Sequence, residues 1–395
     1  MRCLRHRSGR RVKDDQSNNR HVDRRPVANS LPELADELSS VAPGKVAIVA
    51  GDEISTNDAY KDVVELAELL AAPVFGSSWP AHIPYPTSHY LWQGNLPTKA
   101  TEISETMKDY ECVFALGGKS FITILYSEAS ALPDGCDLFQ LSVDGRDLGR
   151  TYPSKLSVVG DIEFSLKKLN KLLLERLAED DLEYEKLRLL AHQEYQARKQ
   201  ALQEKADTLV DCDPIHPLVA ARELALAIGP TPIVDEAIAT ASHLRNFLHN
   251  NFTRQYSFLR GGALGWGMPA AVGFSLGIGR KPVVSLVGDG AAMYSPQALW
   301  TAVHENLPVT FIVMNNLEYN ILKNFMRSQP HYNASRTGKF IAMDLQDPAI
   351  DFEALAKSMG MASQRVTKSA DIRETVSSAI ASKTPNLIEI LIGLE

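Results

Sequence analysis

The sequence predicts an α/β protein with two doubly wound parallel-sheet domains that are joined by a charged helical connector. Three observations support this fold class. In both halves, short apolar runs rich in β-branched residues alternate with amphipathic stretches, which is the pattern of parallel strands and crossover helices. A charged stretch nearly free of glycine and proline separates the halves. The length of 395 residues also suits two domains rather than one.

The first domain is predicted over residues 28–175. A short helix, LPELADEL, opens it, and AYKDVVELAELLAA has the apolar spacing of an amphipathic helix. The predicted strands are apolar runs of 7–9 residues, several of them ending in glycine: KVAIVAGD, APVFGSS, ECVFALGG and DLFQLSVDG. Such runs are typical of strands that are buried on both faces of a sheet.

The connector is predicted over residues 176–212 and the second domain over residues 213–395. The charge run across residues 163–208 indicates a solvated helix or helix pair with an exposed face. In the second domain PLVAARELALAI, SPQALWTAVHEN and DFEALAKSMG are predicted helices. The predicted strands lie in PTPIVDEAIAT, KPVVSLVGDGAA, PVTFIVMNN and PNLIEILIGL.

The first 27 residues differ from the rest of the chain. They are rich in arginine and lack an apolar core, which excludes a secretory signal. We interpret them as a disordered basic leader. A nucleic-acid-binding arm and a transit peptide are the alternatives.

Composition excludes several classes of protein. The net charge of −7 argues against broad nucleic-acid binding, and no apolar run reaches the ~18 residues that a membrane helix needs. The four cysteines form no CxxC pair, so neither a zinc site nor a disulfide framework is predicted. A cytoplasmic protein fits this cysteine usage best.

Polar residues follow two predicted strands of the second domain. VVSLV ends in Gly288-Asp289-Gly290, and PVTFIVMNN ends in Asn315-Asn316. The glycines permit a sharp turn and close approach to an anion, and the helix that begins there offers free N–H groups to a diphosphate. One crossover between the segments brings their side chains to neighbouring strand ends, where oxygen ligands could hold a divalent cation. The alternative is a turn required by sterics and a strand cap.

These segments resemble the motif of the thiamine diphosphate enzymes, in which GDG is followed by about two dozen residues and a closing NN. Three stretches are most similar to the benzoylformate decarboxylases, with acetolactate synthases next. They are GALGWGMPAAVG, GDGAAMYSPQALWTAVHENLPVTFIVMNN and EYNILKNF. The first domain resembles the central domain of the same family through VDGRDLGRTYP.

The resemblance implies a set of cofactor and metal contacts. Asp289 and Asn316 correspond to the side-chain ligands of Mg²⁺, and Glu318 to the residue that supplies a backbone carbonyl. The position of Leu264 is that of the bulky residue that bends the cofactor, with a core leucine as the alternative. Further residues are expected to contact thiamine diphosphate through their backbone or their loop: Glu236, Gly262, Gly288, Gly290, Ala291 and Ala292.

The resemblance also implies a substrate pocket. Ile321, Leu322 and Phe325 correspond to its apolar wall, although apolar residues at helical spacing are more often plain core. Benzoylformate decarboxylases have a histidine after the strand that ends in GG. In GGKSFITILYSEAS the corresponding residue is Ile124, and no histidine is near. This difference weighs against cleavage of an aromatic 2-oxo acid.

Members of the family also have a pyrimidine-binding domain whose glutamate activates the cofactor. No segment of this sequence resembles it, so we identify no catalytic residue and expect the chain alone to lack that glutamate. Three interpretations stay open. The chain is a decarboxylase homologue, an acetolactate synthase-like carboligase, or a truncated inactive chain or subunit of a split enzyme whose pyrimidine-binding domain lies on another subunit.

The leading hypothesis is a thiamine diphosphate- and Mg²⁺-binding homologue of the 2-oxo acid decarboxylases. The expected reaction is non-oxidative cleavage of a small 2-oxo acid, and the expected assembly is a homodimer or homotetramer. A nicotinamide dehydrogenase is a weaker alternative, because no GxGxxG follows an early strand. Flavin binding has no support in the sequence.

Overall fold

The computed structural model describes residues 29–124, 126–177, 182–250 and 254–394. The predicted leader, residues 1–27, lies outside these ranges. Within them the chain forms two six-stranded sheets, and every pairing between their strands is parallel. The predicted fold class is confirmed.

The first sheet has the strand order β3-β2-β1-β4-β5-β6. In chain order its strands are β1 Val46–Ala50, β2 Val74–Gly76, β3 Trp92–Asn95, β4 Cys112–Leu116, β5 Asp137–Ser142 and β6 Leu156–Val159. The chain reverses its direction of travel across the sheet between β1 and β4. Every residue of β1 and β4 is buried, as expected for central strands covered on both faces.

The second sheet has the order β11-β12-β10-β9-β7-β8. Its strands are β7 Ile233–Glu236, β8 Tyr256–Phe258, β9 Val283–Gly288, β10 Val309–Asn315, β11 Ala362–Val366 and β12 Asn386–Leu391. Here one reversal of direction lies between β7 and β9. Such a reversal leaves a crevice at the carboxyl ends of the two strands, and ligands of open α/β sheets bind in this crevice.

Helices cover both sheets. They are α1 Leu31–Ser40, α2 Glu53–Thr56, α3 Tyr60–Leu69, α4 Ala100–Met107, α5 Ile162–Arg176, α6 Leu182–Asp207, α7 Pro217–Ile228, α8 Ala239–Phe247, α9 Gly267–Gly277, α10 Asp289–Ala292, α11 Gln297–His304, α12 Asn320–Arg327, α13 Asn333–Thr337, α14 Phe352–Ser358 and α15 Ser369–Ala381. In the second domain α7 packs against α8 and α15. No helix of the described chain is both long and apolar enough to cross a membrane.

The charged stretch between the sheets forms two helices with different environments. Asp161 caps α5 by accepting a hydrogen bond from Phe164 N at 3.0 Å, and α5 packs against α1 and α3 of the first domain. Only Tyr184 and Ala206 are buried on α6. The predicted solvated face therefore belongs to α6. The limits proposed for the connector and the two domains remain predictions.

Polar contacts join the two halves. Thr87 Oγ1 donates to the carbonyl of Leu248 at 2.6 Å and accepts from Asn250 N at 2.9 Å. The Arg260 guanidinium forms an ion pair with buried Asp52 at 2.5 Å. These contacts fix the start of the α8–β8 connection and the residues after β8 next to loops of the first domain.

Candidate functional site

The crevice of the second sheet brings together the strand ends that the sequence singled out. β7 ends at Glu236 and β9 at Gly288. On the other side of β9, Met314 of β10 pairs with Gly288, and Asn316 is the first residue after β10. The predicted proximity of the GDG and NN segments is confirmed.

Asp289 is the first residue of α10 and is buried. Its Oδ1 accepts from Gly290 N at 2.6 Å, and its Oδ2 accepts from Asn316 N at 3.1 Å and from Leu317 N at 2.8 Å. Burial raises the pKa of this carboxyl group to about 6, despite the backbone hydrogen bonds that oppose the shift. None of the ion pairs found in the described ranges involves Asp289.

Gly290 must be glycine for a local steric reason. A Cβ atom on this residue would overlap with the ring of Tyr319. Tyr319 follows the NN segment, so its ring packs directly against the GDG turn and joins the turn to the loop after β10. Gly288 has open space where its Cβ would lie, and it lines the crevice.

The loop after β10 is fixed by its own polar contacts. Asn316 Oδ1 accepts from Glu318 N at 3.2 Å. The buried carboxylate of Glu318 pairs with Lys323, which also contacts Asp344 at 2.5 Å. One Glu318 oxygen, Oε1, is buried and has no hydrogen-bond partner among the described residues. The side chain of Glu318 thus anchors the loop, and its carbonyl oxygen remains the atom predicted to face a metal.

Glu236 has a positioning role that the sequence did not indicate. Its Oε1 accepts from Gly265 N at 2.6 Å and Trp266 N at 3.2 Å, and its Oε2 accepts from Gly267 N at 2.6 Å. A Cβ on Gly267 would lie 2.7 Å from Oε2, which explains the glycine at this position. The carboxylate therefore holds the GALGWG loop beside the crevice. Because the carboxylate is used in this way, the predicted diphosphate contact would come from the backbone of the loop that carries Glu236.

The crevice contains an open pocket of about 510 Å³, which we call the strand-end pocket. Leu264, Gly290 and Ala291 line it, together with Asp289 and Asn316. Leu264 is 38% exposed, so it is not a core leucine. Its place in the pocket wall favours the predicted contact with a ligand.

Two predicted cofactor residues lie outside the lining of this pocket. Ala292 is buried behind Ala291 on α10, and Gly262 lies on the exposed loop with a φ of 69°. The proposed roles of these two residues use backbone atoms. They remain predictions.

A larger cavity of about 1270 Å³, the inter-sheet cavity, lies between the two halves of the chain. Ile124 of the first half lines it opposite Ile321 and Phe325 of α12. Leu322 points elsewhere and is 45% exposed, so it does not belong to this wall. Two of the three residues predicted for the apolar substrate wall thus line this cavity, together with Ile124 from a sequence-distant loop, and their role in substrate binding remains a prediction.

Ile238 connects the two spaces. It lines both the strand-end pocket and the inter-sheet cavity, and its φ of 25° is unusual for a β-branched residue. Such backbone outliers cost energy and cluster at functional sites. No sequence pattern predicts this conformation, because it depends on how β7 meets α8.

The residues at the crevice fit a divalent cation and a diphosphate. No group of three or more His, Cys, Asp or Glu residues in the described ranges could hold a metal. A cation here would therefore need one carboxylate together with amide, carbonyl and ligand oxygens, which is the hard oxygen set that Mg²⁺ prefers. Asp289 is a buried carboxylate that has no basic partner within the described ranges, and a nearby cation would stabilise its charged form.

Comparison with known proteins agrees with this site. A model described as the thiamine pyrophosphate enzyme central domain matches residues 33–169, and one described as the C-terminal TPP-binding domain of these enzymes matches residues 239–390. The chain belongs to the thiamine pyrophosphate (thiamine diphosphate) enzyme family. The first match contains the whole first sheet, and the second contains most of the residues that line the strand-end pocket, among them Asp289 and Asn316.

Individual relatives include decarboxylases and acetolactate synthases. The chain is 28% identical to a benzoylformate decarboxylase of Pseudomonas aeruginosa over 92% of its length and 64% of the relative. It is 24% identical to the chloroplastic acetolactate synthase of Arabidopsis thaliana, over 93% of the chain and 54% of the relative. The chain thus spans less than two thirds of the length of these relatives.

A solved structure also matches the fold. It is the thiamine diphosphate-dependent 4-hydroxybenzoylformate decarboxylase of Rhodococcus jostii RHA1, with a TM-score of 0.79 and 25% identity. The match covers 95% of this chain and 66% of that one. Its thiamine diphosphate dependence agrees with the family to which this chain belongs.

Proposed function

We propose that this chain binds thiamine diphosphate and Mg²⁺ in the strand-end pocket and contributes to non-oxidative cleavage of a small 2-oxo acid. The observation that carries the proposal is the contact between the GDG and NN segments through Asp289. The chemistry that thiamine diphosphate supplies is stabilisation of the carbanion left when a 2-oxo acid loses carbon dioxide.

Asp289 and Asn316 would hold the metal through their side chains, and Glu318 through its carbonyl. Since Asn316 and Leu317 donate backbone N–H groups to Asp289, the carboxylate is already fixed in position before a ligand binds. Such preorganisation reduces the entropy cost of binding. The Glu318–Lys323 pair has the same effect on the loop.

The diphosphate would lie at the start of α10, where Gly290 and Ala291 line the pocket. Unpaired N–H groups at the beginning of a helix attract an anion. Leu264 would contact the cofactor from the loop that Glu236 holds. The carboxylate of Glu236 is used by three backbone amides and remains outside this contact.

The substrate would occupy the inter-sheet cavity, which adjoins the strand-end pocket at Ile238 and Ile321. One observation favours a second candidate, carboligation of the acetolactate synthase kind. No histidine lines the inter-sheet cavity among the described residues, and Ile124 occupies the position where the sequence comparison expects one. A decarboxylase must deliver a proton to the carbanion carbon. A carboligase instead joins this carbon to a second carbonyl compound and protonates the alkoxide oxygen that results, so an apolar wall beside the carbon suits carboligation better.

We also propose that the chain forms at least a homodimer. Large apolar or aromatic side chains in the segment that follows α10 are exposed, among them Met293, Tyr294 and Trp300. Contiguous exposed apolar patches mark surfaces that another protein covers. A second copy of this chain, related by twofold symmetry, is the proposed partner.

Thermal unfolding tests the proposed cofactor site. Thiamine diphosphate with Mg²⁺ at 100 times its Kd should stabilise the chain by about 2.7 kcal/mol, because it binds the folded state alone. Asp289→Ala should abolish the shift in melting temperature, measured against the same variant without cofactor. Mg²⁺ alone and thiamine diphosphate alone should give smaller shifts.

A matched control separates the site from general destabilisation. Asp371→Ala makes the same change at an exposed residue of α15 that does not line the strand-end pocket. It should keep the full cofactor-dependent shift. A full shift in Asp289→Ala would show that the cofactor binds elsewhere.

A further inference from the structure

Three basic side chains form a group away from the strand-end pocket. Arg198 and Lys199 are consecutive on α6, and Arg245 lies on α8. All three line a cavity of about 640 Å³, which we call the basic cavity. No Asp or Glu of the described chain lines it.

Neutral acceptors hold the three cations in place. Arg198 donates to the carbonyl of Trp92 at 3.0 Å, and Lys199 Nζ donates to the carbonyl of Asn246 at 3.1 Å. Arg245 Nη1 lies 3.3 Å from the hydroxyl of Tyr256. In the part of the chain that the structure describes, none of the three cations forms an ion pair.

The Arg198 and Lys199 cations repel each other, while Glu194 attracts Arg198 and buried Asp235 attracts Arg245. Partial burial lowers the pKa of Arg198, and burial together with the charge of Arg198 lowers the pKa of Lys199. An anion between them would remove the repulsion and supply charged acceptors, which make stronger hydrogen bonds than neutral ones. Tyr195 and Leu202 line the same cavity and could contact the carbon skeleton of a small molecule.

The basic cavity and the inter-sheet cavity share part of their walls. The shared residues are Thr87, Trp92, Gly94, Arg245 and Asn246. Arg245 is also the one basic residue that lines the inter-sheet cavity within the described ranges. A molecule in the inter-sheet cavity could therefore place an anionic group next to Arg245 and, beyond it, Lys199.

We propose that Arg198, Lys199 and Arg245 bind the carboxylate or phosphate group of a small organic anion. The carboxylate or phosphate belongs either to the distal end of the substrate or to a separate anion. The first case rests on the proposed function and makes the substrate a 2-oxo acid with a second acidic group. Anion binding itself depends only on the basic cavity.

Isothermal titration calorimetry of the complete chain without cofactor tests this site. The probes are 2-oxoglutarate, 2-oxopentanoate and inorganic phosphate. The two 2-oxo acids have five carbons each and differ in the terminal carboxylate. We expect 2-oxoglutarate to bind at least about tenfold more tightly, since a hydrogen bond to a charged group contributes about 1.5–3 kcal/mol. Added salt should weaken binding, because the cations are partly exposed.

Two variants should each weaken 2-oxoglutarate binding about tenfold, namely Lys199→Met and Arg245→Met. Lys199→Gln is a second variant that keeps a polar end, in case the first variant unfolds. Lys205→Met, at an exposed lysine on the same helix, is the matched control and should bind normally. Asp289→Ala should also bind 2-oxoglutarate normally while losing the cofactor-dependent thermal shift. The two proposals can therefore fail independently.

The outcomes distinguish the two sources of the anion. If phosphate bound as tightly as 2-oxoglutarate and Lys199→Met lost this binding, the result would support the anion site. It would overturn the assignment of the anionic group to the substrate. Equal binding of 2-oxoglutarate and 2-oxopentanoate, together with no binding of phosphate, would overturn the anion site. An equal loss of 2-oxoglutarate binding in Lys205→Met would overturn it as well.

Discussion

The carboxyl ends of the two sheets offer a comparison within one molecule, because both are parallel sheets in which the chain reverses direction. In the first sheet the loops after β1 and β4 meet directly. Gly51 N donates to the carbonyl of Leu116 at 2.7 Å, and Glu53 N donates to that of Gly117 at 3.1 Å. In the second sheet the corresponding crevice between β7 and β9 holds the strand-end pocket.

A few residues produce this difference. A Cβ on Gly51 would overlap with the carbonyl of Gly117, so glycine permits the loops of the first sheet to close the crevice. The Glu53 carboxylate then accepts from Ser142 Oγ at 2.9 Å and from Val143 N at 3.0 Å. In the second sheet, Glu236 holds its loop beside the crevice and leaves it open. The architecture provides a crevice twice, and the loop residues close it between β1 and β4 but leave it open between β7 and β9.

The largest effect that we expect at the open crevice is a change in the free energy of unfolding with pH, caused by Asp289. Its pKa is about 6 in the folded chain and close to the ordinary value of 3.8 in the unfolded chain. Between these values Asp289 binds more protons in the folded state, so the contribution of this residue to stability is greatest at low pH. The free energy of unfolding without cofactor should fall by up to about 3 kcal/mol as the pH rises from about 4 to about 6.

Chemical denaturation across this pH range measures the effect. Asp289→Asn imitates the protonated side chain and should flatten the slope, while Asp371→Asn should not. Bound Mg²⁺ favours the carboxylate, so cofactor binding should strengthen as the pH rises through about 6. An unchanged slope in Asp289→Asn would show that other groups cause the pH dependence.

A pair of glycine variants tests the open crevice. Gly290→Ala places a methyl group against the ring of Tyr319 and should disturb the GDG turn at a cost of about 1–3 kcal/mol. Cofactor binding should weaken by at least about tenfold. Gly273→Ala on α9 meets no atom within 4 Å and should stabilise the chain by about 0.5–1 kcal/mol. Equal cofactor affinity in both variants, measured by calorimetry, would contradict our account of Gly290.

The closed crevice should respond differently. Gly51→Ala should reduce the free energy of unfolding by about 1–3 kcal/mol, because its methyl group meets backbone rather than a flexible side chain. Its cofactor affinity should equal that of the wild type. If Gly51→Ala weakened cofactor binding as much as Gly290→Ala, the two crevices would not be functionally distinct.

The smallest effect concerns the surface beside the open crevice. Light scattering should give at least the mass of a dimer, and Trp300→Glu should weaken the association about tenfold by placing a charge on an exposed apolar surface. Phe164→Glu is a control on α5, where the phenyl ring is also more than one third exposed. A monodisperse monomer that binds the cofactor would contradict the proposed dimer.

The sequence predicted eight of the twelve strands that the structure describes, and the four others share a physical property. β3, β6, β8 and β11 are the edge strands of their sheets. β3, β6 and β11 have partly exposed residues, so they lack a continuous apolar run, and β8 has only three residues. Central strands are covered on both faces and therefore show the pattern that a sequence can reveal.

The parts of the candidate site that lie in short, continuous stretches of sequence were predictable. GDG and NN lie next to apolar strands, and parallel strand ends meet at one edge. In contrast, the Glu236 hydrogen bonds span about 30 residues, and Ile124 and Phe325 line one cavity from two different domains. Such contacts depend on how the elements pack, which no single stretch of sequence specifies. Leu322 shows the same limit, because helical spacing could not decide which side of α12 lines the cavity.

The most direct test of the central claim is anomalous diffraction from crystals grown with thiamine diphosphate and Mn²⁺ in place of Mg²⁺. We predict one strong manganese peak in the open crevice, about 2.1 Å from oxygens of Asp289 and Asn316, as for an octahedral site. Diphosphate density should lie at the start of α10. A manganese peak at the first sheet, or an empty crevice at saturating cofactor, would contradict the claim that the second sheet alone carries the cofactor site.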